Sequence, residues 1–204
     1  MAYYDSMRKN TVYTLHPGFA MEESGVAILK QRTGRTLEEW VRAVKKSGAK
    51  TEKERIAWLK DTHGITTNYA LWIAKRADGT GDADHYDPDA MVEAIFAGKK
   101  SGLRPIYDRL LTMAFGLGKD VRVSPCKTIV PFYRKHVFAQ VKPATSTRVD
   151  LGFAFKDMKP SGKLISTGGF EKGDRITHRI PITMTSEIDV EVKKWLKQSY
   201  EMDV

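Results

Sequence analysis

Residues 120–156, DVRVSPCKTIVPFYRKHVFAQVKPATSTRVDLGFAFK, decide the fold. The run Thr147–Phe155 alternates, with Val149, Leu151, Phe153 and Phe155 on one side and Arg148, Asp150, Gly152 and Ala154 on the other. A period of two is the signature of a strand with one face buried, so the first set is read as core. The small residues at the middle of the second set leave room for a close-packed helix or a shallow groove. Val121–Val123, Ile129–Tyr133 and His136–Val141 read as short strands before it, Leu164–Thr167 and Ile176–Thr183 as strands after it. Between these last two, Gly168-Gly169-Phe170-Glu171-Lys172-Gly173 reads as a hairpin turn, since no helix follows to make it a phosphate loop.

Upstream of this stretch the period changes to that of helices. His16-Pro17-Gly18 opens one through about Gln31, with Met21, Ile28 and Leu29 facing inward. Thr36-Leu37-Glu38-Glu39 and Thr51-Glu52-Lys53-Glu54 are capping boxes, a hydroxyl at the N-cap with a Glu three positions on. The helices they start carry Leu37, Trp40, Val41 and Val44, then Ile56, Trp58 and Leu59, at spacings of one apolar face. Thr66 or Thr67 caps a fourth, with Tyr69, Leu71, Trp72 and Ile73 inside. Asp87-Pro88-Asp89 starts another, Asp at the cap and Pro at the first position. One more, beginning at Pro105, carries Ile106, Leu110, Leu111 and Phe115. Ser186 caps a closing helix with Ile188, Val192, Trp195, Leu196 and Tyr200.

Helices, then strands, then a helix, with no strand–helix–strand alternation, give an α+β fold. A small helical bundle is followed by a domain with a mainly antiparallel sheet flanked by helices. The expected boundaries are a helical domain over 1–78 with an ordered core of about 17–76, an acidic and glycine-rich linker over 79–86, and the α+β domain over 87–204.

Charge narrows the function classes. The chain of 204 residues has a formal net charge of +9. Residues 101–150 hold nine Lys/Arg against three Asp/Glu, the largest local excess, whereas residues 51–100 are net acidic. A clustered excess of this kind draws a polyanion by counterion release. Lys127, Arg134, Lys135, Lys142 and Arg148 are the expected phosphate contacts, with Tyr133, Phe132 and Phe138 among them as stacking candidates. A solvated sheet face with inward aromatics produces the same pattern with no ligand.

Other constellations are weaker. Arg55–His63, Gly64 and Thr67–Arg76 have the length of a helix-turn-helix, which would aim Thr67, Asn68 and Lys75 at DNA. Asp82, Asp84, His85, Asp87 and Asp89 are hard-cation ligands by type, but Tyr86 interrupts the alternation that a Ca²⁺ loop needs. Cys126 is the one cysteine, which excludes an intramolecular disulfide. As a nucleophile it would need His136 or His178 beside it. No P-loop, GxSxG, HExxH or dinucleotide fingerprint is present. Trp40, Trp58, Trp72 and Trp195 all occupy core-like helical positions. No apolar run approaches the ~20 residues of a membrane span, and the amino terminus lacks a secretory layout, so a cytoplasmic protein is expected.

The motifs carry a family resemblance. TGRTLEEWVRAVKKSG and ERIAWLKDTHGITTNYALWIAKR resemble the helical family known as domain of unknown function 4287. SPCKTIVPFYRKHVFAQVKP, RVDLGFAF, GGFEKGDRITHRI and VKKWLKQSYE resemble domain of unknown function 5655. GGFEKGD departs from the GHWGxGD-like turn expected there. The second family is distantly similar to a frataxin-like group described as iron chaperones or double-wing DNA binders. The resemblance implies an α+β module without catalysis. The expected function is a non-enzymatic binding protein, with no cofactor, no catalytic residue and no assigned metal ligand, whose basic strand face takes nucleic acid or another polyanion. The alternative is a frataxin-like carrier or chaperone for a metal or small molecule, using a pocket beside Gly152 and Ala154 or the acidic linker.

Overall fold

A computed structural model describes residues 12–80, 86–156 and 158–204. It divides into two compact units, one of Leu15–Asp87 and one of Pro88–Val204 together with the described end of Met1–Thr14.

The first unit holds α1 (Pro17–Ala27), α2 (Leu29–Thr33), α3 (Leu37–Lys46), α4 (Glu52–His63) and α5 (Thr67–Ala77). Both capping boxes form. Thr36 Oγ1 accepts from the Glu39 N–H at 3.3 Å while Glu39 accepts from the Thr36 N–H at 2.7 Å, and Thr51 and Glu54 repeat the exchange at 3.2 and 3.0 Å. Each satisfies two of the donors a helix start leaves open. Gly64 ends α4 with φ 66°, a left-handed turn that a side chain would strain. Leu29, Trp40, Val44, Leu59, Ile65, Ala70 and Ile73 form the core of this unit. The amino-terminal helix departs from expectation. It breaks at Ile28, and both Ile28 and Met21 are exposed. α1 instead lays Gly25 against the Trp72 ring of α5 and buries Glu22, 3.5 Å from Arg76.

The second unit contains α6 (Pro88–Ile95), a 3₁₀ turn over Gly98–Leu103, α7 (Arg104–Phe115), a six-stranded sheet and α8 (Val190–Met202). The strands are β1 (Arg122–Val123), β2 (Val130–Tyr133), β3 (Val137–Pro143), β4 (Val149–Phe153), β5 (Ile165–Ser166) and β6 (His178–Ile182). All pairings are antiparallel, in the order β1-β2-β3-β4-β6-β5. The short β5 therefore lies at the edge, and β6 inserts next to β4.

Register fixes the two faces. Val141, Leu151 and Ile180 pair across β3, β4 and β6 and are buried, as are Val149 and Ile182. They meet α7 and α8 through Ile106, Leu110, Val192, Trp195 and Leu196, one continuous core. A register shift at Phe132/Tyr133 buries two consecutive β3 residues, Phe138 and Ala139. Such a bulge turns an extra side chain inward, and Phe138 uses it to meet Tyr200 of α8 edge-on at 5.6 Å.

Two details lie outside the sequence expectation. Thr185–Glu187 forms a separate 3₁₀ turn, so Asp189 rather than Ser186 caps α8, accepting from the Glu191 and Val192 N–H groups at 3.0 and 3.2 Å. Tyr13 and Thr14 join this unit. Thr14 N–H donates to Val123 O at 2.8 Å, and the Tyr13 and Tyr107 hydroxyls meet at 2.9 Å in the interior.

Candidate anion-binding face

The sheet face opposite α8 carries polar side chains. Its rows read Lys142, Asp150, Pro181 and then Gln140, Gly152, Arg179 across β3, β4 and β6. Arg148, two residues before Asp150, belongs to the same side. Asp150 lies between two guanidinium groups: its Oδ1 accepts from Arg148 Nε at 2.9 Å and its Oδ2 from Arg179 Nη1 at 2.7 Å. The carboxylate side chain is 14% exposed while both arginines remain about a third exposed. One carboxylate therefore orients two cations and neutralises one. The remaining N–H groups of each fork stay available, because Arg carries five donors. Lys142, paired directly with Asp150 across the strands, is exposed and forms no ion pair among the described residues.

Beside this cluster Gly152 lets its neighbours pack close to the strand. A Cβ there would sit 2.7 Å from Ile176 Cγ2 and 3.1 Å from Gln140 Cγ. Gly152 also lines a cleft of about 430 Å³, together with Gln140, Lys142, Thr167, Ile176 and Arg179 among others. Asp174 and Arg175, from the β5–β6 connection, line this cleft and a second one of about 450 Å³ around Ala154. The small residues read from the sequence thus mark grooves and not a helix-packing surface.

The expected phosphate contacts do not all converge. Lys142 and Arg148 share the open face. Lys127 is exposed and lies three residues before Val130, which pairs with Val141, so it sits off the same end of the strands. Arg134 and Lys135 lie in the β2–β3 turn at the other end of β3, about 20 Å away at ~3.3 Å per residue. Arg134 is a structural tie: it bonds Asp120 at 2.9 Å and Tyr200 O at 3.3 Å, and covers the Tyr200 ring at 4.5 Å. The Tyr200 hydroxyl and Arg134 together hold the Asp120 carboxyl below its usual range. Lys135 is exposed and its N–H donates to Asp203 at 3.1 Å.

Tyr133, Phe132 and Phe138 are buried, so none offers a stacking surface. Burial also pushes the Tyr133 phenol up to about 12. Sequence reading missed Arg179 and the carboxylate that holds it. The available signal was Arg179 alternating with His178 and Ile180 in a strand, but its partner came from β4, which only the strand order supplies.

The remaining candidates separate from one another. Burial pushes the Cys126 thiol up, away from the thiolate a nucleophile requires, and no hydrogen bond joins it to a histidine among the described residues. His136 is tied to Asp203 at 3.0 Å, and His178 is buried between Met158 O at 2.8 Å and Thr177 Oγ1 at 2.9 Å. In the helix pair, Thr67 and Asn68 are exposed, Lys75 is half-buried, and Trp72 and Ile73 are buried. Asp82, Asp84 and His85 lie outside the described residues. Among the described residues no group of three or more His, Cys, Asp or Glu is placed to hold a metal, and no helix is long and apolar enough to cross a membrane. Trp40, Trp72 and Trp195 are buried, and Trp58 is half-buried beside His63 at 4.4 Å between ring centres.

Two family models match the chain, one over residues 23–79, described as domain of unknown function (DUF4287), and one over residues 92–203, described as domain of unknown function (DUF5655). No curated protein and no solved structure matches it. The second model covers more than half of the 204 residues, including the whole open sheet face. The chain belongs to the family described as domain of unknown function (DUF5655), with a domain of unknown function (DUF4287) ahead of it.

Proposed function

We propose that this protein is a non-enzymatic binding module whose open sheet face receives the phosphate backbone of a nucleic acid. The observation that carries the reading is Asp150 holding Arg148 and Arg179 side by side on a sheet face beside exposed Lys142. Oriented guanidinium forks suit phosphate oxygens, and the ordering cost is already met by the Asp150 bonds. With Tyr133, Phe132 and Phe138 buried, contact is to the backbone rather than to stacked bases. Binding is therefore sequence-neutral and steeply salt-dependent. A cytosolic location accompanies this reading, since the single Cys126 stays reduced there.

The test is fluorescence anisotropy of a labelled short duplex between about 20 and 200 mM salt. Three phosphate contacts give a slope of log K against log salt near −2.7, from ~0.9 per contact. Lys142→Ala combined with Arg179→Gln should weaken binding roughly tenfold or more at low salt and flatten the slope by about 2. Lys135→Ala should change little. An unchanged slope in the double variant, or no binding at low salt, would remove the proposal.

The cleft beside Gly152 favours a second reading, a carrier of a small molecule, in which Gln140, Lys142 and Arg179 grip an anionic head group. Titration with phosphate-bearing metabolites separates the two, because a carrier gives saturable affinity with a shallow salt slope.

A further inference from the structure

The cleft around Ala154 is chemically unlike the sheet face. It brings two large exposed apolar side chains, Phe170 and Met202, together with Lys156, Arg175 and His136 in about 450 Å³. That volume lies within the range of small-molecule sites. Phe170 is 51% exposed and Met202 45% exposed, and a sulfur and a ring at one cleft make a surface that an aromatic ligand covers favourably.

The polar side is organised by Asp203, a buried carboxylate at the end of α8. It accepts from the Lys135 and His136 N–H groups at 3.1 and 2.7 Å, from His136 Nδ1 at 3.0 Å and from Arg175 Nη2 at 2.9 Å. Arg175 Nε donates to Val137 O at 2.8 Å. Its guanidinium plane is therefore fixed at two points, yet the side chain remains half exposed and its Nη1 has no partner among the described residues. Lys156 is exposed at the rim. Asp203 and Asp174 balance the charges of Arg175 and Lys156, so these side chains sum to zero. What they offer an anion is the Arg175 Nη1 donor and the Lys156 ammonium, enough for one carboxylate, while a phosphate dianion would meet the two carboxylates with twice the charge.

We infer that this cleft binds a small aromatic monocarboxylate, its ring against Phe170 and Met202 and its carboxylate on Arg175 and Lys156. The site adjoins the cleft beside Gly152 and shares Asp174 and Arg175 with it, but it uses none of Lys142, Arg148 or Arg179, so its failure leaves the nucleic-acid reading untouched.

The experiment is calorimetric titration of the full chain with naphthalene-2-carboxylate, and with the uncharged naphthalene-2-methanol as its control. The expected result is saturable binding of the acid, with the alcohol about tenfold weaker. Phe170→Ala and Lys156→Ala, both at exposed positions, should each weaken the acid by about three- to tenfold, with circular dichroism unchanged. Lys142→Ala should leave it as it was. Absence of saturable binding, equal affinity for acid and alcohol, or indifference to both variants would overturn the inference.

Discussion

Asp203 is the residue on which the sharpest stability prediction rests. Its carboxylate joins the end of α8 to the β2–β3 turn and to the β5–β6 connection through four hydrogen bonds. Two backbone N–H donors to a carboxylate contribute about 1 kcal/mol each, the ordinary net value and below the charged range because Lys135 and His136 are themselves exposed. The ion pair with half-exposed Arg175 adds about 0.5–1 kcal/mol after solvent screening. Asp203→Ala should therefore cost about 2–3 kcal/mol, a fall of roughly 6–15 °C in Tm for a unit of this size.

The pH dependence has a definite direction. Burial pushes the Asp203 carboxyl up, but the His136 hydrogen bonds and the Arg175 charge outweigh it and hold it below the ordinary aspartate value. The unfolded chain thus binds this proton more tightly. The contribution is complete above the unfolded pKa of about 3.9 and is lost as pH falls through the lower folded value. The difference between native protein and Asp203→Asn should be largest at neutral pH and shrink below about pH 4. Thermal unfolding across pH, with amide exchange at His136, measures it. A Tm unchanged by either substitution at neutral pH, or a difference that persists undiminished in acid, would refute the reasoning.

Other outcomes follow from single contacts. Gly25→Ala places a methyl group inside the Trp72 ring contact, an overpacking that should cost about 1–3 kcal/mol in the first unit. Tryptophan-monitored unfolding reads it, and unchanged stability would contradict the packing of α1 on α5. Cys126, whose thiol burial pushes up, should react with a disulfide reagent at least about tenfold more slowly than an unhindered thiol near pH 8, and speed up on denaturation. A native-state rate equal to that of the free thiol would contradict its placement.

What could be read in the sequence was local. Val149, Leu151, Phe153 and Phe155 alternate within one strand, and each is buried. The capping boxes at Thr36 and Thr51 need only residues three apart, and both form. Gly152 and Ala154 announced small side chains, and clefts lie over them. What could not be read depends on distant partners. Asp150 meets Arg179 only because β6 inserts beside β4. Tyr133 and Phe138 turn inward through a register shift that the alternation of β3 does not announce. Met21 and Ile28 are exposed because Gly25 sets which side of α1 meets Trp72. Ser186 lost the cap of α8 to Asp189 because Glu187 turns back to the Thr183 and Met184 N–H groups, closing a separate turn first.

Which surface an anion touches decides the function. Amide shift mapping of the isotope-labelled protein during titration with a short DNA duplex at low salt addresses it residue by residue. Progressive shifts are expected at Gln140, Lys142, Arg148, Asp150 and Arg179, reversed by added salt. Shifts confined to α8 or to the first unit, or none on this sheet face, would contradict the proposed interface.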